Sequence, residues 1–262
     1  MSEIPVTSRD NPVFKRLLKL ADSSRARRDA RMSLLDGEHL LTAYLDAGGE
    51  PHTLVRAASC DAVRFDRLAG RCRQARSLVL PDKLFAELSP VATPTGILAE
   101  AAWLEPPAVA DRALVIALED IQDPGNLGSM LRTGAAAGAT LAVLSKGCTD
   151  AWSPKALRGG QGAQFVLPLL LAVDLAAWLA SFDGQRIALS LGQGGDFYAL
   201  DLTPPLAIVV GNEGAGLSQS VCRAASICTQ IPMAGRVESL NASAALAVAV
   251  FEAARQRRTR TR

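Results

Sequence analysis

Residues 206–218 have the sequence LAIVVGNEGAGLS, in which five consecutive apolar residues run directly into a turn that holds three glycines. Apolar side chains at consecutive positions suit a strand that is buried on both faces, as in a parallel sheet covered by helices. Open sheets of this kind bind their ligands at the carboxyl ends of the strands, where this turn lies. The segment therefore predicts an α/β sheet with a ligand site that begins after residue 210.

Four further apolar runs extend this pattern along the C-terminal part of the chain. Helical stretches separate the runs, so we expect a doubly wound parallel α/β domain. Pro106-Pro107 interrupts helix and strand patterns just before the first run, which predicts a domain boundary near residue 106. The five predicted strands are Ala113–Leu118, Leu141–Leu144, Ile187–Leu191, Leu206–Val210 and Ile227–Ile231.

The residues before this boundary predict a smaller α/β domain, because short apolar runs alternate with helix-like segments from Leu34 to Leu104. Asn11-Pro12 has the pattern of an N-cap followed by a first-turn proline, which predicts that an amphipathic helix begins there. Its inner side is predicted to hold Val13, Phe14, Leu17, Leu18 and Ala21, and its outer side the basic residues Lys15, Arg16 and Lys19.

Composition excludes several classes of protein. The 262 residues are 49% hydrophobic and 21% charged, which is enough apolar material for packed cores and far from a disordered composition. The longest apolar stretch, Phe165–Phe182, contains Pro168 and Asp174, which argues against a membrane span. The N-terminus has no basic lead before an apolar core, so no secretory signal is expected. Five cysteines without a CxxC pair and only two histidines argue against disulfides and zinc, and favour the cytoplasm.

Positive charge is concentrated at the two ends of the chain. The net charge is only +2, but residues 1–31 hold eight basic and four acidic residues, and the last eight residues hold five arginines and no acid. Basic arms of this kind suit the phosphate backbone of a nucleic acid, because each neutralised phosphate releases counterions. The alternative is a solvated helix face and a frayed tail.

The turn after the first predicted strand, EDIQDPGNLG at residues 119–128, leads into a helix that contains Arg132. Apart from Arg132, the residues from Leu127 to Ala139 are apolar or small, which predicts a buried helix. A buried guanidinium needs an anionic partner, so Arg132 is a candidate for binding a negatively charged group. The alternative is a structural ion pair with Glu119 or Asp120.

The turns at residues 211–218 and 231–243 follow two other predicted strands. Glycine allows a ligand to approach the backbone closely, although tight connections also use glycine for purely structural reasons. Neither turn has the GxGxxG or GxxxxGK[ST] pattern, so a common dinucleotide fold and an NTPase are not supported. Ser218 is a candidate cap for the helix that follows the earlier turn. Ser239 or Asn241 either caps the last helix or holds a ligand at its N-terminus.

Taken together, in order and spacing, the three turns resemble the three motifs of the SpoU-type RNA ribose 2′-O-methyltransferases of the trefoil-knotted SPOUT class. The motifs are NxGxxxR from Asn126, GNEGxGLS from Gly211, and IPMxGxxxSLNxSxA from Ile231. The segment from Ser153 to Phe165, with Lys155 and Arg158, resembles a fourth segment of the family. Gly159-Gly160 and Ala242 depart from the usual residues, but the polar positions are kept. The N-terminal part is more loosely similar to the family's ribosomal-protein-like RNA-binding domain through Ser8–Pro12, Asp36–His39 and Thr95–Leu98.

The resemblance implies a fold, a reaction and partners. We expect an RNA-binding accessory domain of the ribosomal-protein-like α/β type at residues 1–105 and a knotted parallel-sheet methyltransferase domain with a basic tail at 106–262. The implied reaction is methylation of an RNA ribose 2′-hydroxyl by S-adenosylmethionine, without a metal. The implied partners are RNA and a second copy of the chain, with no membrane. Family members that carry the ribosomal-protein-like domain mostly modify large-subunit ribosomal RNA, whereas those that act on tRNA commonly lack it. Because about 105 residues precede the catalytic portion here, the resemblance favours ribosomal RNA, and 23S rRNA in particular, over tRNA.

The same resemblance implies roles for individual residues. By the resemblance, Arg132 would help to deprotonate the 2′-hydroxyl. Because a guanidinium stays protonated in proteins, its chemistry favours a role in orienting the phosphate and the hydroxyl instead. A non-catalytic RNA-binding protein on the same fold would have lost the polar motif residues, which are all present. A third alternative is an α/β enzyme that uses a nucleotide by another route. The implied catalytic residues are Arg132, Asn126, Glu213, Ser239 and Asn241; the cofactor-binding residues are Gly211, Asn212, Gly214, Ile231, Met233, Ser239 and Leu240; the RNA-binding residues are Lys15, Arg16, Lys19, Arg132, Lys155 and Arg158.

Overall fold

A computed structural model of the chain describes residues 3–106, 114–190 and 194–260, without the side chain of residue 260. The contacts divide the chain into two compact units. The first unit comprises Met1–Glu105 and Asp150–Phe165, and the second comprises Pro106–Thr149 and Val166–Arg262. The sequence assigned the segment Asp150–Phe165 to the C-terminal domain, whereas its contacts group it with the first unit.

Twelve strands and ten α-helices form within the described residues. The strands are β1 (Glu3–Pro5), β2 (Met32–Asp36), β3 (Thr53–Ala57), β4 (Arg76–Leu80), β5 (Ile97–Ala102), β6 (Leu114–Leu118), β7 (Leu141–Ser145), β8 (Leu169–Val173), β9 (Gln185–Leu189), β10 (Gly195–Asp196), β11 (Leu206–Val210) and β12 (Ile227–Gln230). The helices are α1 (Pro12–Asp22), α2 (Ser24–Ala30), α3 (Glu38–Asp46), α4 (Ala62–Ala69), α5 (Asp82–Leu88), α6 (Pro124–Ala136), α7 (Pro154–Gly160), α8 (Leu175–Ser181), α9 (Gln219–Ala224) and α10 (Ala242–Arg260).

The first unit is built on a mixed five-stranded sheet with the strand order β1-β4-β3-β5-β2. Strands β1, β3 and β4 are parallel, and β5 runs antiparallel to β3 and β2. The predicted first helix is confirmed: the Asn11 side chain accepts a hydrogen bond from the Val13 N–H, and Pro12 occupies the first turn. Phe14, Leu17 and Leu20 of this helix are buried in the core of the unit, which explains its amphipathic pattern.

The second unit is built on a seven-stranded sheet with the order β10-β12-β9-β11-β6-β7-β8, in which every neighbouring pair is parallel. All five residues of β6, β7 and β11 are buried, as expected for strands covered on both faces. The predicted parallel α/β fold is confirmed, and the knot that the resemblance implies stays a prediction. The chain order reverses between the adjacent strands β6 and β11, and ligands of open α/β sheets bind at such a point.

The predicted strands differ from the observed ones in detail. Strand β9 begins two residues before the predicted start at Ile187 and ends at Leu189. Residues Ala113 and Leu191, which the prediction included in strands, lie outside the described residues, as does Pro107. Strands β8 and β10, which form the two edges of the sheet, were not predicted from the sequence. Because β8 carries exposed apolar residues and β10 has two residues, neither has the fully buried pattern used for the prediction.

The described parts of the chain contain neither a membrane-spanning helix nor a metal-binding cluster. No helix there is both long and apolar enough to cross a lipid bilayer. No group of three or more histidine, cysteine, aspartate or glutamate side chains in those parts has the arrangement needed to hold a metal ion.

Candidate active site

The turn after β11, residues 211–218, forms a compact loop that we call the glycine loop. The Asn212 side-chain oxygen accepts hydrogen bonds from the N–H groups of Gly214 at 2.8 Å and Ala215 at 3.0 Å. The Gly216 N–H donates to the Asn212 carbonyl at 2.9 Å. A Cβ atom on Gly211 would collide with the Gly216 carbonyl, so the close passage of the two backbones requires glycine at position 211.

The end of the glycine loop is bound by Glu119, the residue directly after the neighbouring strand β6. The Ser218 N–H donates to the carboxylate of Glu119 at 2.8 Å, and Glu119 is buried. The Ser218 hydroxyl accepts from the Val221 N–H at 3.3 Å, so this residue caps α9 as the sequence predicted. The end of the loop is therefore fixed by two interactions: the Glu119 carboxylate binds its last backbone N–H, and the Ser218 hydroxyl caps the helix that follows.

A cavity of about 390 Å³ lies beside the glycine loop. Its walls come from the carboxyl ends of three adjacent strands and from the start of the last helix. Six of the seven predicted cofactor-binding residues line it, whereas Ser239 does not. The lining residues are Leu189, Ser190, Val210, Gly211, Asn212, Glu213, Gly214, Ala215, Gly216, Leu217, Cys222, Gln230, Ile231, Met233, Leu240, Ala242 and Ala245.

A hydrogen bond joins the first sequence motif to the wall of this cavity. Asn126 lies in the first turn of α6, where its backbone N–H donates to the capping Asp123 at 2.8 Å. Its side-chain amide donates to the carboxylate of Glu213, which lines the cavity. The structure therefore brings together two of the predicted catalytic residues from turns that are 87 residues apart in the sequence.

Arg132 is exposed, and the prediction that it is buried is wrong. The buried positions of α6 are taken by Leu127, Met130, Leu131 and two glycines, while Ser, Thr and Ala share the open side with Arg132. The structural ion pair considered for Arg132 is not formed either. Glu119 accepts from Ser218, and Asp120 accepts from Ser145, instead. Within the described ranges, no hydrogen bond or ion pair engages the Arg132 guanidinium.

Ser239 and Asn241 of the third motif, both predicted as either a helix cap or a ligand-binding residue, have different surroundings in the structure. Asn241 caps α10, because its side-chain oxygen accepts from the Ser243 N–H at 2.9 Å. Ser239 is exposed and takes no part in that cap. The Ser243 hydroxyl in turn lies 2.9 Å from the Ser129 hydroxyl of α6, one helical turn from Asn126 and one from Arg132. This contact fixes the start of α10 against the helix of the first motif.

The predicted RNA-binding residues belong to both units, and several of them have ion-pair partners. Lys15 pairs with Asp10 at 2.7 Å, and Arg16 pairs at 2.7 Å with Glu100, whose carboxylate is buried. Lys19 and Lys155 are exposed, and Arg158 lies 3.5 Å from the buried Asp36. These five residues belong to the first unit, and Arg132 belongs to the second.

The arginine-rich tail is partly used inside the second unit. Arg257 donates to the Leu202 and Pro204 carbonyls, and Arg255 pairs with Glu252 at 2.7 Å. This pair holds the pKa of Glu252 at about 2, below its ordinary value, mainly through the hydrogen bond from Arg255. The side chains of residues 260–262 lie outside the described part of the chain. The tail is therefore not a uniform free arm.

Three polar residues that line the cavity, Ser190, Cys222 and Gln230, were not predicted from the sequence. Ser190 was hidden because the predicted strand continued to residue 191, whereas β9 ends at Leu189. A polar residue directly after a buried strand is the signal that points to Ser190. Cys222 lies on α9, and no sequence pattern separates it from an ordinary helix residue.

The chain is similar to known proteins, in one comparison over its C-terminal part and in others over most of its length. The profile of the SpoU rRNA Methylase family matches residues 113–251. An uncharacterized tRNA/rRNA methyltransferase of Synechocystis sp. is 34% identical over 261 residues, covering 96% of this chain and 93% of the relative. The 23S rRNA (guanosine(2553)-2′-O)-methyltransferase RlmP of Bacillus subtilis is 28% identical, covering 89% of this chain and 92% of the relative.

A solved structure is similar over nearly the whole chain. The crystal structure of an AdoMet-bound rRNA methyltransferase from Sinorhizobium meliloti superposes with a TM-score of 0.81 at 28% identity. The similarity covers 96% of this chain and 97% of the other. It therefore includes the N-terminal part, which the family profile does not reach.

Proposed function

The chain belongs to the SpoU rRNA methylase family, and on that premise we propose that it is an S-adenosylmethionine-dependent enzyme that methylates a ribose 2′-hydroxyl of RNA. The hydrogen bond between Asn126 and Glu213 is the observation that carries the proposal. It joins α6, the helix that carries Arg132, to the wall of the cavity. The residue proposed to bind an RNA phosphate is therefore connected directly to the proposed cofactor site.

The cavity beside the glycine loop suits S-adenosylmethionine. Its volume of about 390 Å³ lies within the range of small-molecule sites. Glycine backbone at 211, 214 and 216 allows close approach of the ligand, while Ile231, Met233 and Leu240 offer apolar contacts to its adenosine and methionine parts. When bound, S-adenosylmethionine supplies the methyl group on its sulfonium centre.

Arg132 is proposed to bind and orient the RNA. A guanidinium remains protonated in proteins and matches a phosphate with two parallel hydrogen bonds. Because Arg132 is exposed and has no partner among the described residues, it is free to take that role. A methyl transfer needs its two reacting groups held in line, so fixing the phosphate next to the 2′-hydroxyl lowers the barrier.

The other polar motif residues support this placement. Asn126 and Glu213 are proposed to hold the Arg132 helix and the glycine loop at a fixed separation. Ser239 offers an exposed hydroxyl to the ribose. Asn241 uses its side-chain oxygen for the helix cap, which leaves its amide N–H groups available as donors.

Ribosomal RNA is the proposed substrate class, with tRNA as the alternative. The support comes from the relatives, since one is named a 23S rRNA methyltransferase and a similar solved structure is an rRNA methyltransferase. Residues 1–105 are proposed to act as an RNA-binding accessory domain, completed by the segment Asp150–Phe165 that packs with them. A ribosomal RNA substrate is in keeping with a cytoplasmic enzyme.

A methyl-transfer assay tests this function. The full-length protein is incubated with labelled S-adenosylmethionine and unmodified transcripts of large-subunit rRNA or of tRNAs. We expect label in rRNA at a position that resists alkaline hydrolysis, because a methylated 2′-oxygen cannot attack the neighbouring phosphate. Label on a base, or no label from a protein that binds the cofactor, would contradict the proposal. Label confined to tRNA would favour the alternative substrate.

We also propose that the protein acts as a homodimer through α10. This helix packs against α6 and β11, and Leu246, Val250 and Ala253 are buried, whereas Phe251 is 47% exposed. An exposed phenylalanine on a mostly apolar helix is the kind of surface that a second copy buries. Phe251→Glu is expected to convert a dimer to a monomer in sedimentation experiments, whereas Val63→Glu, at a more exposed apolar residue of the first unit, leaves the dimer unchanged. A wild-type monomer would contradict the proposal.

A further inference from the structure

Asp120, two residues after the end of β6, has a left-handed backbone conformation with φ of +53°. This conformation is uncommon for a residue with a side chain, although aspartate adopts it more readily than most. The Asp120 N–H donates to the Ser145 hydroxyl at 2.9 Å, and that hydroxyl donates to the Asp120 carboxylate at 2.6 Å. Ser145 is the buried last residue of β7, so this closed pair joins the ends of two neighbouring strands.

The loop after β7 is shaped around the same carboxylate. Gly147 passes so close to Asp120 that a Cβ atom on the glycine would collide with the carboxylate oxygen. The Gly147 carbonyl accepts from the Gln122 side chain at 2.7 Å, and the Thr149 N–H donates to the Ile121 carbonyl at 2.8 Å. Contacts from both loops therefore determine the conformation of Asp120.

In this conformation the Asp120 carbonyl oxygen accepts a hydrogen bond from the Asn212 side-chain amide at 2.9 Å. Asn212 belongs to the glycine loop, and its side-chain oxygen accepts from Gly214 and Ala215. The planar side-chain amide of Asn212 thus donates to the Asp120 carbonyl and accepts from two N–H groups of the glycine loop. Because the amide is rigid, the position of the Asp120 carbonyl determines the orientation of the loop. Asn212 and Gly214 line the cavity, whereas Asp120 and Ser145 are not among the described residues that line it.

We propose that Asp120 and Ser145 are positioning residues for cofactor binding. They hold the glycine loop in its binding conformation through Asn212 and do not touch the ligand. A loop that is already ordered loses less conformational freedom when a ligand binds, which raises affinity without a new contact. The inference rests on the proposed function, because it takes S-adenosylmethionine as the ligand of the cavity.

Substitutions at Asp120 separate the backbone conformation from the side chain. Asp120→Ala and Asp120→Gly both remove the carboxylate, but only glycine adopts positive φ without steric cost. Calorimetric titration of the full-length protein with S-adenosylmethionine is expected to show a Kd about tenfold higher for Asp120→Ala. This is the scale of one lost hydrogen bond, here the bond from the Asn212 amide to the carbonyl of residue 120, which depends on the left-handed backbone. We expect Asp120→Gly to bind within about threefold of wild type, because the Asp120 carbonyl can still reach Asn212.

Two further variants complete the test. Ser145→Ala removes the hydroxyl partner and is expected to weaken binding by about fivefold. Ser33→Ala is its matched control, because Ser33 is also a buried serine, and its hydroxyl donates to the Trp152 carbonyl and accepts from the Trp103 indole N–H in the first unit. Tm is measured for every variant. The control is expected to lose as much thermal stability as Ser145→Ala while its Kd for S-adenosylmethionine stays at the wild-type value.

The outcomes distinguish the two proposals. If the wild type binds S-adenosylmethionine and Asp120→Ala binds equally well, the positioning role is overturned and the proposed function stands. Equal weakening by Asp120→Ala and Asp120→Gly would also overturn it, because the backbone conformation would then not matter. If the wild type does not bind S-adenosylmethionine, the proposed function fails and the inference fails with it.

Discussion

Replacing Arg132 by alanine is expected to lower kcat for methyl transfer by at least about 100-fold, because the RNA phosphate loses the group that aligns it. The Kd for S-adenosylmethionine should stay within about twofold, since Arg132 is not among the described residues that line the cavity. Arg132→Lys is the matched variant: it keeps the charge but loses the paired hydrogen bonds, so an intermediate rate is expected. Kinetics and calorimetry on the same preparations decide the matter. If a folded Arg132→Ala protein lost methyl-transfer rate and cofactor affinity equally, the proposed role of Arg132 in aligning the RNA would be wrong.

Asp36 is a second residue whose environment predicts a measurable effect. Its carboxylate is buried, one oxygen has no hydrogen-bond partner within the described residues, and the other accepts from Ser89 at 2.8 Å. Burial raises the pKa of Asp36, and this outweighs the lowering effects of Ser89 and of Arg158 at 3.5 Å. A carboxyl whose pKa is raised on folding stabilises the protein below its unfolded pKa of about 3.9. That stabilisation is lost as the pH rises through the folded pKa.

We therefore expect Asp36→Asn to raise the free energy of unfolding at pH 8 by about 1 kcal/mol, the scale of a buried polar group without a partner. The gain should shrink as the pH falls towards 4. Urea unfolding of both proteins across this range measures the difference. Asp29→Asn, at an exposed aspartate of α2, is the control and should change the free energy of unfolding at pH 8 by less than about 0.5 kcal/mol. A variant that is less stable than wild type at pH 8 would refute the expected cost of ionised Asp36.

Individual site residues differ in how far the sequence could predict them. The glycine loop was predictable, because a buried strand followed by glycines has few structural solutions. The exposure of Arg132 was not, since small residues such as Ser, Thr and Ala fit a buried or an open helix side equally well. The bond between Asn126 and Glu213 depends on a reversal of strand order between β6 and β11. No local pattern records which strands will be neighbours.

At the scale of elements, the segment Asp150–Phe165 shows a packing that sequence patterns did not reveal. Asp150 pairs with Arg27 of α2 at 2.7 Å; the Arg27 side chain is buried and that of Asp150 is 12% exposed. Trp152 stacks on Trp103 with ring centroids 4.9 Å apart, and Phe165 meets Tyr44 edge-on. These partners lie before residue 105, so only the folded chain shows that the segment belongs with the first unit. Arg27, counted in the sequence as part of a basic arm, is a structural residue.

Arg27→Ala is accordingly expected to lower the free energy of unfolding by about 3 kcal/mol, because it removes the buried guanidinium and leaves Asp150, which is only 12% exposed, without its partner. It also removes the hydrogen bonds from Arg27 to the Leu20 and Ala21 carbonyls. Arg25→Ala, two residues away, breaks an exposed ion pair with Asp29 and should cost less than about 0.5 kcal/mol. Urea titration followed by tryptophan fluorescence reports on both, since Trp103 and Trp152 lie in the same unit. Equal effects would show that the Arg27 pair contributes no more than a surface pair.

At the scale of the whole molecule, the two units and the predicted domains differ in one practical way. Deleting residues 1–105 would remove Arg27, Tyr44 and Trp103, the partners that cover the segment Asp150–Phe165. The truncated protein would expose Trp152 and Phe165, so a loss of RNA methylation would not isolate RNA binding. Surface substitutions in the intact chain are the sharper test of the accessory domain.

Lys19 and Arg28 are the residues to change, because both are exposed on α1 and α2 and neither has an ion-pair partner in the described ranges. If they contact RNA phosphates, the double variant Lys19→Ala/Arg28→Ala should weaken rRNA binding and reduce the slope of log K against log salt by about 2. The matched control, Arg76→Ala/Lys83→Ala, removes the same charge at exposed positions on β4 and α5. Its salt dependence should stay close to that of wild type. Equal slopes for both double variants would mean that net charge, and not the α1–α2 surface, attracts the RNA.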